Sequence, residues 1–306
     1  MKEQASADLS PSPSPSVLTK RASSSEPTSS SLKSKKLKLL SDYLDNSPFP
    51  NFPSPTASEA AAVQALLVKA HGQPKRSQPD IAGPPLKNSA ETCGAVPNVI
   101  DSLIGTILSQ NTSSKNSSAA KRGLDAAFGG DDPDDDEARF SAIVAAPLAT
   151  VVDSIRSGGL ANKKAATIQQ LLATIHEKHG KYSLQHLATS DPPLSNDAIM
   201  RELVSYDGVG PKTASCVLLF CLGRASFAVD THVFRLSRLL RWVPASCGTD
   251  RVRAQAHLDV RIPDALKHDL HVLMVTHGRV CKGCNGRSTS GACILKVYMR
   301  EAKDLA

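Results

Sequence analysis

Lys212 and Asp230 are the residues of this chain whose types and spacing point to chemistry. The lysine stands in the run Gly208-Val209-Gly210-Pro211-Lys212-Thr213, between two apolar segments with helical spacing. Two glycines one residue apart permit a tight turn, since such a turn needs positive φ and lets a ligand approach bare backbone. Pro211 suits the first position of a helix, where its missing N–H is not needed. Backbone amides of the turn and of that first helical turn lack intrahelical partners. They form a pocket for an anion, of which a phosphate is the obvious one. Lys212 lies beside this pocket. Its amine can hold a phosphate by charge, or, once neutral, attack an electrophile, and partial burial helps a lysine shed its proton. About eighteen residues downstream, Asp230 precedes Thr231-His232-Val233-Phe234-Arg235 and reads as the N-cap of another helix. A carboxylate in that place either caps only, or also stabilises positive charge and relays protons at a neighbouring reacting centre.

Such residues need rigid elements on either side, and the apolar spacing supplies helices throughout. Residues 1 to about 55 are rich in Ser and Pro, carry no sustained apolar period and read as a disordered tail. Within it Lys33-Ser34-Lys35-Lys36-Leu37-Lys38 is a basic cluster, read either as a nuclear localisation signal or as a solvated charge run. From Thr56, Ala60, Val63, Leu66, Leu67 and Ala70 recur at helical spacing up to Gly72, and a polar, Pro-rich linker follows to about Pro97. Val99, Ile100, Leu103, Ile104, Ile107 and Leu108 then mark a buried helix ending at Ser109-Gln110-Asn111-Thr112. Further helices are expected over Lys115–Phe128, Phe140–Ala145, Leu148–Ser157, Asn162–His179, Asp197–Tyr206, Thr231–Leu240, Arg251–Val260 and Ala265–Thr276. The acidic run Asp131–Glu137 reads as a solvated loop. No period-two strand pattern occurs, so the fold class is all-α.

Composition bounds the rest. The 306 residues suffice for one or two domains with a substantial core. A formal net charge of +7 suits a polyanionic partner, as a modest electrostatic argument. No apolar run is long enough to span a bilayer, so no membrane partner is expected. Seven cysteines in a chain of this length do not make a disulfide scaffold, and a reducing, intracellular compartment is expected.

On GVGPKTAS followed by VDTHVFR, the chain resembles the helix-hairpin-helix base-excision DNA glycosylases, in particular the endonuclease III branch. The resemblance covers roughly residues 97–295. It implies a six-helix barrel (97–224) containing the hairpin and a C-terminal helical domain (225–306). The N-terminal helix and linker (56–96) would pack with the C-terminal domain, and DNA would lie across the cleft between the two. In that family the lysine matched by Lys212 attacks the sugar C1′ and the aspartate matched by Asp230 assists it. The glutamine matched by Gln110 enters the gap left by the extruded nucleotide. Gly208, Val209, Gly210 and Thr213 of the hairpin are then DNA-binding candidates, as are Lys163 and Lys164, which match a segment near the DNA backbone. The implied function is a bifunctional DNA glycosylase with abasic-site lyase activity, acting as a monomer on duplex DNA that holds a damaged, modified or abasic nucleotide. An 8-oxoguanine glycosylase, a 5-methylcytosine glycosylase and a non-catalytic DNA-binding scaffold are the alternatives. The adenine-removing branch is disfavoured because its acid would fall near Thr106, which cannot donate as a carboxylic acid. The nucleus is the expected compartment, the mitochondrion the alternative.

Many endonuclease III relatives carry four cysteines, C-x6-C-x2-C-x5-C, around a [4Fe–4S] cluster. Here Cys281, Cys284 and Cys293 give C-x2-C-x8-C, one thiolate short. The expectation is a degenerate loop with no standard cluster. Cys247 is a remote candidate for a fourth ligand, and zinc held by three cysteines and His277 lacks a familiar His-to-Cys spacing. Cys216 and Cys221, on the apolar helix after the hairpin, read as core residues.

Overall fold

The computed structural model describes residues 46–75, 88–92, 94–129, 135–284 and 292–304. The basic cluster Lys33–Lys38, most of the Ser/Pro tail, residues 76–87 of the linker and residues 131–134 of the acidic run lie outside them. Among the described residues the chain is helical with no strand, the class that its apolar spacing implies.

Two apolar cores organise the helices. The first is centred on α2 (Val99–Ser109), in which every residue from Val99 to Leu108 is buried. A helix apolar all round has no solvent face to offer and becomes the axis of its domain. Around it pack α3 (Ser114–Phe128), α4 (Asp136–Ala145), α5 (Leu148–Ser154) and α6 (Ala161–His179). The short α7 (His186–Thr189), α8 (Asn196–Ser205) and α9 (Pro211–Cys216) complete this core. The second core joins α1 (Ala57–His71) to α10 (Thr231–Leu239), α11 (Arg251–Arg261), α12 (Asp264–Val280) and α13 (Ile294–Asp304). The N-terminal helix thus packs with C-terminal helices far from it in sequence. Ends are fixed locally: Thr56 and Glu59 form a capping box on α1, and Asn98, Ser113, Ser195 and Asp250 cap α2, α3, α8 and α11.

The first core also holds charge. Lys121 is 1% exposed, with Nζ 3.0 Å from Asp101 Oδ1 and 2.6 Å from Asp125 Oδ1. Arg139 adds contacts to Asp101 at 3.2 Å and Asp136 at 2.5 Å. Removing one member would leave a buried charge uncompensated, so the network pins α2, α3 and α4 in one arrangement.

Residues 46–55, which composition assigns to the disordered tail, pack instead on α11. Phe49 is buried in the second core, and its ring meets His257 edge-on at 5.6 Å. The His257 ring bonds Ser47 Oγ at 2.6 Å through Nδ1 and the Ser54 carbonyl at 2.7 Å through Nε2. Two phenylalanines without a helical period leave no pattern to read, although their burial anchors the segment.

Candidate active site

The site is a cavity of about 740 Å³ lined by residues from both cores. Its floor is the hairpin between α8 and α9. Gly208 has φ +82, and a Cβ there would lie 2.2 Å from Thr167 Cγ2, so the turn admits only glycine. Val209 N–H donates to the Tyr206 carbonyl at 3.2 Å while its side chain is buried in the first core. Val209 is therefore a packing residue with its amide spent inside the turn, which corrects its assignment as a DNA contact. Gly210 has φ −106, opens α9 as its N-cap without a side-chain cap bond, and would have open space around an added Cβ. With Pro211 at the first helical position, the start of α9 faces the cavity as the spacing predicts. The two glycines separate in a testable way. Gly208→Ala is expected to cost roughly 2–4 kcal/mol of stability, from left-handed backbone and overlap with Thr167. Gly210→Ala is expected to leave denaturant unfolding within about 0.5 kcal/mol of the parent.

Lys212 is half-buried in the first turn of α9 and lines the cavity. Beside it Thr213, 3% exposed, accepts a hydrogen bond at 3.2 Å from the side-chain amide of Gln110. Gln110 is the C-cap of α2, and Asn111 after it takes φ 51, which turns the chain and leaves the glutamine at the cavity edge. Hairpin, lysine and glutamine thus meet at one place.

Asp230 reaches the same cavity by a different route. Its Oδ1 accepts from Val233 N–H at 2.7 Å and caps α10, which leaves Oδ2 outside the cap. The connector leading to it is clamped by side chains rather than by secondary structure. Phe227 N–H donates to Asp259 at 2.6 Å, Val229 N–H to Gln255 at 3.1 Å, and Ser226 bonds Ser215 of α9 at 2.6 Å. A small apolar cluster of Cys216, Leu219, Phe220 and Ala228 fills the space between α9 and the connector. Lys212 and Asp230 are held on separate elements by these shared contacts.

His271 of α12 is the site residue that spacing did not disclose. It is 5% exposed, lines the cavity, and bonds the Ala228 carbonyl at 2.8 Å through Nδ1. A carbonyl only accepts, so Nδ1 carries the hydrogen and Nε2 of the neutral ring is a base. Burial lowers its pKa from 6.5 to about 4; Lys212 and His268 add to the fall, while Asp230 and the bond to Ala228 oppose it. The unfolded chain therefore takes up a proton near pH 6.5 that the folded chain refuses until about pH 4. Stability should fall across that window on acidification, by on the order of 3 kcal/mol from this group. Unfolding curves of the parent and His271→Gln between pH 7 and pH 4.5 check this, the variant having the flatter dependence.

The two lysines expected near DNA divide. Lys163 is exposed at the start of α6 and does not line the cavity. Lys164 is 4% exposed and donates to the carbonyls of Leu108 at 2.7 Å and Gly158 at 2.9 Å. It closes the C-terminal end of α2 from within, so its assignment as a DNA contact is withdrawn. Burial draws its pKa down to about 8. Gly278 of α12 has no room for a side chain, since a Cβ would lie 2.7 Å from that of His232, two residues after Asp230. Arg279 beside it crosses to Ser114 of α3 at 3.3 Å, spanning the cavity mouth.

Away from the cavity, His277, Cys281, Cys284 and Cys293 present one donor atom each, all within 4.8 Å of one another. Cys247 is buried in the second core with its thiol 3.3 Å from the Asp250 carbonyl, engaged away from this group. Cys216 and Cys221 are buried, as expected of core residues.

Residues 104–260 match the HhH-GPD superfamily of base excision DNA repair proteins. The match takes in Gln110, the hairpin, Lys212 and Asp230, and stops short of the cysteine loop. An Arabidopsis thaliana protein named as a DNA glycosylase is 35% identical over 251 residues, 78% of this chain and 80% of the relative. Endonuclease III of Sulfolobus acidocaldarius is 29% identical over 213 residues, 69% of this chain and 86% of the relative. Among solved structures, a non-covalent endonuclease III–DNA complex superimposes with a TM-score of 0.57 at 22% identity, covering 81% of this chain and 99% of that one. At that identity the likeness is one of fold.

Proposed function

The chain belongs to the HhH-GPD superfamily of base excision DNA repair proteins and has its helical fold, and from that premise we propose that it is a bifunctional glycosylase and abasic-site lyase. Its substrate is duplex DNA carrying a damaged, modified or abasic nucleotide. One observation carries the proposal: Lys212 and Asp230, from different cores, line one cavity whose floor is the hairpin that opens α9.

The hairpin and the start of α9 seat a DNA phosphate, and the amide of Gln110 enters the stack as the target nucleotide swings out. Neutral Lys212 attacks C1′. The Nζ–C1′ bond forms as the glycosidic bond breaks, and the base leaves with its electron pair and takes a proton. Asp230 stabilises the positive charge on the sugar. The attached nitrogen loses its proton as the sugar ring opens, giving an imine. Removal of a C2′ proton then expels the 3′ phosphate by β-elimination. Asp230 and the Nε2 atom of His271, both at the cavity, are the groups placed to take and return these protons.

Borohydride trapping on an abasic duplex tests this reading, since reduction of the imine leaves protein covalently joined to DNA. A covalent adduct with strand cleavage supports the proposal. Base excision without adduct would leave a glycosylase that is not a lyase. Gly210→Ala adds a binding test: with folding unaffected, a methyl group where the phosphate must approach should weaken duplex affinity by roughly tenfold. The basic cluster Lys33–Lys38 supports a nuclear location for the same activity.

A further inference from the structure

Relatives of the endonuclease III branch suggest a [4Fe–4S] cluster at the C-terminal loop, and the residues present here do not fit one. The cubane places its four ligands on four different irons, at outward-facing corners, so the ligand atoms stand apart by more than one shared ion would allow. In this chain the four donor atoms crowd within 4.8 Å of one another, and one of the four is an imidazole.

We infer that His277, Cys281, Cys284 and Cys293 form a site for a single tetrahedral zinc ion, which ties α12 to α13. Metal–sulfur and metal–nitrogen bonds of about 2.3 and 2.0 Å, arranged tetrahedrally, put ligand atoms roughly 3.5–3.8 Å apart. His277 Nε2 lies 3.5 Å from Cys293 Sγ, at that separation. Helix geometry explains why the sequence spacing looked unfamiliar. α12 runs to Val280, beyond the Thr276 end expected from apolar spacing, so His277 and Cys281 stand one turn apart on one face. Cys281 N–H closes that turn on the His277 carbonyl at 2.9 Å, and Cys284 N–H then turns back to the Cys281 carbonyl at 3.3 Å. The resulting C-x2-C turn is a common zinc ligand spacing. Cys293, just before α13, closes the site.

The surroundings support an ion. His277, Cys284 and Cys293 are 3%, 8% and 2% exposed, and the cysteines are unbridged. The other ring nitrogen of His277 is 2.9 Å from Nε2 of His71, at the end of α1. Zinc-bound histidines are characteristically oriented by such a second bond, here with Nδ1–H donating to His71. The ion would thus brace α1, α12 and α13, adding to the apolar core that already joins them. α12 also carries His271, Val275 and Arg279 to the cavity, so the site would act as a structural brace behind it.

The test is metal and acid-labile sulfide analysis of the full-length protein, purified anaerobically from cells supplied with both iron and zinc. About one zinc per chain without sulfide is expected. Replacing zinc by cobalt should give the intense visible bands of tetrahedral cobalt–thiolate coordination. Iron and sulfide in near-equal, near-stoichiometric amounts, with the brown absorption of a cluster, would overturn the inference. So would metal-free protein whose thiols react with a maleimide equally fast with and without added zinc. His71→Phe supplies a variant that keeps all four ligands. Chelator competition should show its zinc affinity reduced by roughly 10–100-fold, and an affinity equal to the parent's would count against the site. None of these readouts depends on glycosylase activity, so they stand or fall apart from the proposed function.

Discussion

Lys212→Gln is expected to abolish borohydride trapping on abasic DNA and to reduce base excision by at least about 10³-fold. A loss of that size corresponds to about 4 kcal/mol of transition-state stabilisation. The argument rests on what the substitution keeps. Glutamine fits the half-buried place of Lys212 in the first turn of α9, where Pro211 and Gly210 set the backbone independently of the side chain. It retains hydrogen-bonding capacity but has no amine, so the Nζ–C1′ bond cannot form. If Lys212 merely steadied a phosphate, the variant would lose affinity by a few-fold and keep its chemistry. If it is the nucleophile, affinity for a duplex holding an uncleavable abasic analogue should change little while trapping disappears. Fluorescence anisotropy and single-turnover kinetics on the same duplexes separate the two, and efficient trapping by Lys212→Gln would show that the nucleophile lies elsewhere.

How far the site was legible follows from how local its physics is. The hairpin could be read because each part is set by its own residue type: positive φ at Gly208, a first-turn proline, a lysine beside bare amides. The all-α class was legible for the same reason, since apolar period and N-caps act within a few residues of themselves. Lys164 was misread because the alternative to solvent was a pair of carbonyls at the ends of α2 and a short turn, and only packing brings them to it. Val209 is likewise placed by packing, its side chain being buried in the first core. His271 lies forty-one residues beyond Asp230 on an ordinary amphipathic helix, and only packing across the fold brings its ring to the Ala228 carbonyl and the cavity. The cysteine loop does carry three cysteines where the relatives' pattern has four, but the end of α12 lies a turn beyond where apolar spacing stops it, and that turn sets His277 over Cys281. Errors of that kind come from helix ends, where one turn more or less decides which side chains share a face.

The asymmetry between the two central residues sharpens the second large effect. Asp230 has a structural duty beside the chemical one proposed for it, because its Oδ1 atom caps α10. Asp230→Ala would therefore confuse the two, removing charge together with a cap worth about 1 kcal/mol. Asp230→Asn separates them. Asparagine caps a helix about as well as aspartate, so the thermal midpoint should move by no more than about 2 °C. The carboxylate that faces the cavity is gone, however, and with it the stabilisation of positive charge on the sugar. Base excision should fall by roughly 10²–10³-fold, or about 3–4 kcal/mol. Lys212 remains in Asp230→Asn, so trapping on a ready-made abasic site should persist, slowed less than excision of an intact base. That ordering distinguishes a carboxylate that assists departure of the base from one that serves only the later elimination. Equal slowing of both steps at unchanged stability would assign Asp230 to a step that they share. Unchanged turnover would leave it as the cap of α10 alone.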